Sequence, residues 1–463
     1  MTGKFWRKAA VLAVVAIAAQ LVAMHLAATQ ARAAAEDDVV KLLGESKPFH
    51  AVGQEVFNRL GWELPDGGAM VKALADAAPG GAFDPRKLES IPGAKLGYTA
   101  KWHEVRYQVY GMDWDIPGLL LTPAKPASPA LPTMVIINGG SSNWYEFFVD
   151  PLNAAGLGQY LAQRVPVLLV TIPGNYRHGG WSEPSYDKRI PGYVLDRDVA
   201  PAELKVRNAA YTFRVLADGV AAIIEKVVSG PVVIIGHSTG GELQFLLKDR
   251  LKARLRGLSL GWGTGGPASL AAMQEFRGER SADDYLHASL LRARPNSGHA
   301  RGYLGPLNPV WDASKSREAM AERWMGLEER RRPKFKQPLQ DMEHNSADNL
   351  RETVATQIRE TLAGNKLGVN PDEVIRDLFS TMKSPKAGYT KMIWTTAALD
   401  DGHWDKDITK ARELQVANEF RKANPQAPIR VLVFDVPMTH YGHVEKPKQL
   451  AGGLLAALVW LAQ

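Results

Sequence analysis

The sequence predicts an α/β protein with a mostly parallel central sheet flanked by helices and a helical segment inserted late in the sheet. Three observations predict it. From about residue 100, short apolar runs alternate with segments of helical period, the pattern of parallel βαβ units whose sheet is covered on both faces. That alternation stops over residues 264–388, which are charged, Pro-punctuated and mostly helical in period, and then resumes. Finally, Val232-Val233-Ile234-Ile235 is a run of β-branched residues broken by Gly236-His237-Ser238-Thr239-Gly240, after which Glu242–Leu247 can continue as a helix. Strand, tight turn and helix follow one another within this stretch.

The elements justify themselves in order. Lys4, Arg7 and Lys8 precede an apolar stretch from Ala9 to about Ala28 and then Ala31-Arg32-Ala33-Ala34-Ala35, so residues 1–33 are expected to be an export signal, with an uncleaved membrane anchor as the alternative. Residues 34–96 form an N-terminal extension with a short helix at Val39–Leu43 and turns at Pro65–Gly68 and Pro79–Gly81, to which no chemistry is assigned. The first part of the core, 97–263, opens with an antiparallel hairpin: Val105, Tyr107 and Val109 alternate on one face, Gly111 marks the turn, and Ile116–Leu121 returns. Pro132–Ile137 is a buried strand leading into Asn138-Gly139-Gly140-Ser141-Ser142. Residues 144–164 are helical with an interruption near Pro151, and Val165–Thr171 is a third buried strand. Glu203–Val228 is predicted as one helix, with Val206, Ala210, Phe213, Leu216, Val220 and Ile223 on its apolar face. Leu258–Trp262 is a short strand. After the insertion, residues 389–463 complete the core with strands at Lys391–Thr396 and Arg430–Asp435, a helix from about Thr409 to Ala423 between them, and an apolar closing helix at Leu450–Leu461.

Composition bounds the function. Residues 1–33 hold four of the 56 basic residues and none of the 49 acidic ones, so the net charge of +7 falls to about +3 once they are removed. The remaining basic residues are interspersed with acids, which argues against a nucleic-acid partner; the cluster Arg330-Arg331-Arg332-Pro333-Lys334 is read as a solvated loop. The absence of cysteine excludes disulfides, thiolate metal sites and a cysteine nucleophile.

Ser238 is the candidate nucleophile. A serine hydroxyl needs a neighbouring base and must stand clear of its own backbone, and a strained turn supplies the exposure. Among 42 glycines the spacing G-x-S-x-G alone is weak, and its position between strand and helix is what gives it weight. Gly236 and Gly240 suit a turn that a Cβ would crowd. Sites on open parallel sheets form beyond the carboxyl ends of the strands, and two later strand ends carry the required groups. After Thr396 come Asp400 and Asp401, either of which would fix the tautomer of an imidazole; Asp400 is the first choice and Asp401 the second. After Asp435 come His440 and His443, which compete for the role of base. His237 is a poor base for Ser238 because consecutive side chains on a tight turn diverge, and His178 is read as a solvated loop histidine. A metal site through Asp401, His403, Asp405 and Asp407 has suitable donors, but alternate residues of an unsupported loop rarely converge on one ion.

The order Ser238, Asp400, His440, the elbow motif and the Asn-Gly-Gly loop after an early strand resemble the alpha/beta-hydrolase superfamily, whose triad runs Ser, Asp or Glu, His. The resemblance covers about residue 100 to the C-terminus, the insertion excepted. The family's catalytic histidine commonly opens a segment of the form Gly-His-x-x-x-x-acid-basic-Pro; Thr439–Pro447 matches with Thr for Gly, which favours His440 over His443. The resemblance implies an oxyanion hole from the backbone N–H groups of Thr239 and Gly140, with Ser141 as the alternative second donor and Asn138 in place of the family's usual histidine. It also implies that residues 264–388 are a cap, whose aromatic residues serve either as a pocket lining or as the segment's own core. A serine at the elbow disfavours epoxide and halide chemistry.

The function implied is that of an exported serine hydrolase that cleaves a carboxylic ester, of a small molecule or a polymer, through an acyl-enzyme. No metal and no organic cofactor is expected, nor any membrane span once the leader is cleaved. The alternatives are acyl transfer, amide or thioester cleavage by the same triad, and a secreted binding protein that keeps the fold without turnover.

Overall fold

The computed structural model describes residues 72, 85–127, 131–138, 144–148, 155–172, 201–237, 240, 243, 246–260, 347–380, 391–397, 430–436, 443 and 447–462. Eight strands form one sheet: β1 (Tyr98–Val109), β2 (Met112–Pro123), β3 (Thr133–Ile137), β4 (Val167–Val170), β5 (Val232–Gly236), β6 (Leu255–Leu260), β7 (Lys391–Ala397) and β8 (Arg430–Val436). Their order across the sheet is β1-β2-β4-β3-β5-β6-β7-β8. The first two pairings, β1 with β2 and β2 with β4, are antiparallel; every later one is parallel. The helices are α1 (Gly93–Leu96), α2 (Trp144–Phe148), α3 (Leu157–Leu161), α4 (Pro201–Ala209), α5 (Phe213–Val227), α6 (Lys248–Leu251), α7 (Ala347–Leu362), α8 (Pro371–Ser380) and α9 (Pro447–Ala462).

The predicted hairpin is present. Val109 pairs with Met112, and both intervening residues, Tyr110 (φ 56°) and Gly111 (φ 72°), are left-handed. Two positive φ values give the backbone twist that suits a two-residue connection between right-twisted strands. The alternation of apolar residues then sorts the core into two faces. Val135 and Ile137 of β3 and Val232 and Ile234 of β5 face one cluster, with Tyr107, Val109, Leu216 and Val220. Met134 and Ile136, with Val233 and Ile235, face the other, with Phe147, Leu161 and the α9 residues Leu450, Leu454 and Leu458.

The single helix predicted over Glu203–Val228 is two helices, α4 and α5, with Ala210, Tyr211 and Thr212 between them. Thr212 is extended (φ −112°, ψ 168°) and buried, its hydroxyl 2.9 Å from that of Tyr110, while Tyr211 packs against Trp114 at 6.2 Å. The chain breaks its helix so that two side chains can enter the end of the hairpin, a demand made by residues about a hundred positions away. The stretch 144–164 holds α2 and α3, with Ala155 and Gly156 before α3 non-helical; Pro151 lies outside the described residues.

Within residues 264–388 the described part is α7 and α8, both helical as expected, together with the turn between them. Ala355, Ile358, Leu362, Val369, Val374 and Ile375 are buried in the same cluster as Tyr107 and Leu216. The remainder of that segment, residues 1–71 and 73–84 with the turns expected there, and the helix expected at Thr409–Ala423 lie outside the described residues. No described helix is long and apolar enough to cross a membrane.

Candidate active site

The parallel register aligns the strands at their carboxyl ends. Ile137 of β3 pairs with Gly236 of β5, Gly236 with Leu260 of β6, Leu260 with Trp394 of β7, and Ala397 with Val436 of β8. One edge of the sheet therefore emits the chain that carries Asn138 and Gly140, the chain that carries Ser238 and Thr239, the chain that carries Asp400 and Asp401, and the chain that carries His440 and His443. Gly140, Ser238, Thr239, Asp400, Asp401 and His440 themselves, and the loop residues considered for a metal, lie outside the described residues. Among the described residues no group of His, Asp and Glu side chains is placed to hold a metal ion.

What is described at this edge is tightly built. The N–H of His237 donates to the carbonyl of Ile137 at 3.0 Å, carrying the ladder one residue past the end of β5. The N–H of Gly240 donates back to the carbonyl of His237 at 2.8 Å, and Gly240, Leu243 and Leu246 are helical. The chain thus passes from extended at Gly236 to helical at Gly240 within four residues. A Cβ on Gly240 would stand 2.3 Å from the Ile137 carbonyl oxygen and 2.8 Å from that of Asn138, so the glycine is demanded by the close approach of the elbow to the end of β3.

Asn138, which stands where the resemblance expects a histidine, is fully buried, and its side-chain oxygen accepts from the N–H of Ile172 at 2.8 Å. Thr171, also buried, accepts from the N–H of Trp144 through its hydroxyl at 2.8 Å. Each bond ties the start of a loop to the end of a strand: Asn138 joins the exits of β3 and β4, and Thr171 joins the exit of β4 to α2. Buried backbone donors left without such partners would cost about 1–3 kcal/mol each.

Three rings meet beside the elbow. His237 is 2 % exposed and His443 fully buried, and their ring centroids lie 4.6 Å apart at 61°. Phe147 of α2 stacks on His443 at 4.6 Å and 23° and meets His237 edge-on at 5.9 Å. The structure therefore brings the second-choice histidine, His443, against the residue preceding Ser238. Phe147 and Thr171 carried no signal in the sequence beyond belonging to an apolar helix and a strand end; their roles come from the distance their neighbours travel through the fold.

The family model described as the alpha/beta hydrolase family matches residues 134–452, well over half of the chain. The chain belongs to the alpha/beta hydrolase family. Among solved structures it is similar to a thermophilic esterase from Thermogutta terrifontis (12% identity over 78% of this chain and 100% of that one, TM-score 0.38). It is also similar to a haloalkane dehalogenase from Bradyrhizobium elkani (15% identity, 78% and 97%, TM-score 0.37) and to a membrane phospholipase A described as a bacterial virulence factor (15%, 79% and 87%, TM-score 0.36). These likenesses are distant and assign no activity. No curated protein matches the chain by sequence.

Proposed function

We propose that the chain is an exported serine hydrolase that cleaves a carboxylic ester through an acyl-enzyme on Ser238. The observation that carries the proposal is the strand-turn-helix passage around that residue: β5 ends at Gly236, the Gly240 N–H returns to His237, and Gly240 is pressed against the end of β3. The residues that flank Ser238 thus lie at the carboxyl edge of the sheet, against the end of the strand that leads on to Gly140. His440 takes the Ser238 proton as the hydroxyl attacks the ester carbonyl, the N–H groups of Thr239 and Gly140 hold the oxyanion, and Asp400 steadies the imidazolium. His440 then protonates the leaving alcohol, and water repeats the cycle to release the acid. The leader-like residues 1–33 support export.

A fluorophosphonate probe tests the nucleophile. Folded protein should label at Ser238, and Ser238→Ala should abolish labelling while lowering p-nitrophenyl ester turnover by about four to six powers of ten. Turnover retained by a folded Ser238→Ala protein rejects the assignment, and absence of both labelling and turnover in the unaltered protein rejects the hydrolase reading.

A further inference from the structure

His443 is enclosed at the carboxyl edge of the sheet. It is fully buried, and its ring is covered by Phe147 and by His237, both at 4.6 Å between centroids. The contact between Phe147 and His237 closes a triangle. Its corners come from three different segments at the carboxyl edge: α2 beyond β3, the elbow beyond β5, and the connection between β8 and α9. Consecutive side chains on a tight turn diverge, so a ring packed on His237 is not thereby packed on the side chain of Ser238.

We propose that Phe147, His237 and His443 form a positioning wedge for the β8–α9 connection, and so for His440, the base of the reading above. This rests on the serine hydrolase reading above. Reacting groups need placement within about 0.5 Å, and a misplacement of about 1 Å can slow turnover roughly a hundredfold, so a packed anchor three residues from the base governs rate without touching substrate. His443 supplies this as a flat ring between two others, in the stacked and edge-on arrangements aromatic rings favour.

The test compares His443→Ala, His443→Phe, Phe147→Leu and His440→Ala with the unaltered protein, measuring kcat and KM on a p-nitrophenyl ester, fluorophosphonate labelling of Ser238, and thermal denaturation. In a positioning role, His443→Ala and Phe147→Leu lower kcat by about 10- to 100-fold with KM changed less than about threefold. His443→Phe, which keeps a flat ring, recovers turnover to within about tenfold of the unaltered protein, whereas His440→Ala loses about four to six powers of ten. Folded His443→Phe as inactive as the expectation for His440→Ala would make His443 the base and overturn the proposal, as would full turnover in folded His443→Ala and Phe147→Leu. If His443→Ala does not fold, His443→Phe and Phe147→Leu decide by the same readouts. Failure of the unaltered protein to label at Ser238 defeats the hydrolase reading instead, and so is told apart from failure of the wedge.

Discussion

At the scale of single residues, Gly240 shows how the elbow is held. The two atoms a methyl group would strike are backbone carbonyl oxygens, at 2.3 and 2.8 Å, and that of Ile137 already accepts from His237. Neither can rotate away as a side chain would, so Gly240→Ala must push the elbow off the end of β3. The expected cost is about 2–4 kcal/mol of stability, seen as a lower denaturant midpoint, together with slower fluorophosphonate labelling. An alanine variant as stable and as reactive as the unaltered protein would show that the approach is looser than these distances. The need for glycine here was legible in the G-x-S-x-G spacing, because spacing along a tight turn is local. Its partners were not, since Ile137 and Asn138 lie about a hundred residues earlier. Asn138 shows the limit from the other side: its place just past β3 was legible, but its bond to Ile172 depends on how β3 and β4 pair.

At the scale of elements, strands were easier to recognise than the joins between helices. In β1 buried and exposed positions alternate over 98–102 and again over 105–109, with a shift of phase between them that moves the buried side from one cluster to the other, so the period is readable within each half. The α4–α5 break was hidden because apolar residues keep helical spacing straight through it, and what stops the helix is a polar contact between Thr212 and Tyr110. The same corner anchors α8. Nη1 of Arg214 donates to Asp377 at 2.5 Å and to Glu373 at 2.9 Å, and its guanidinium lies 5.2 Å from the centre of the Tyr110 ring. Tyr110 donates to Asp377 at 3.1 Å, and burial, the largest influence on it, pushes its phenol well above its ordinary range. Removing the guanidinium with Arg214→Met leaves Glu373 and the buried Asp377 with the more exposed Arg376, at 3.8 and 3.3 Å. We expect a loss of about 1–3 kcal/mol in urea denaturation, below the range for fully buried pairs because Arg214 is a third exposed. Arg214→Lys should recover only part of it, since one ammonium is a poorer match for two carboxylates and a ring than a planar fork. A midpoint unchanged in Arg214→Met would show that the network is solvated and contributes nothing.

For the whole molecule, the parallel character of most of the sheet was legible in the alternation of strands and helices, and the late interruption in the stop of that alternation; the strand order, with β4 between β2 and β3, was not. Where the insertion goes was less visible. Within the charged, Pro-punctuated stretch 264–388, α7 and α8 bury Ile358, Leu362, Val374 and Ile375 in the cluster that also holds Tyr107 of β1, Ile137 of β3 and Val220 of α5. The exposed faces of these helices are charged, which is what composition reports; the buried faces carry few residues each, and averages over the segment conceal them. Sharing one cluster has a thermodynamic consequence. Elements that bury the same side chains open together, whereas a lid hinged on the surface opens at a small fraction of the global free energy. Amide hydrogen exchange in the second half of α7, Ala355–Leu362, should therefore be slow and fall within about tenfold of exchange in the middle of α5. Mild denaturant should speed both in parallel. Exchange in α7 faster by about a thousandfold, and insensitive to denaturant, would instead mean local opening, and would make this part of the insertion a mobile cover rather than a component of the core.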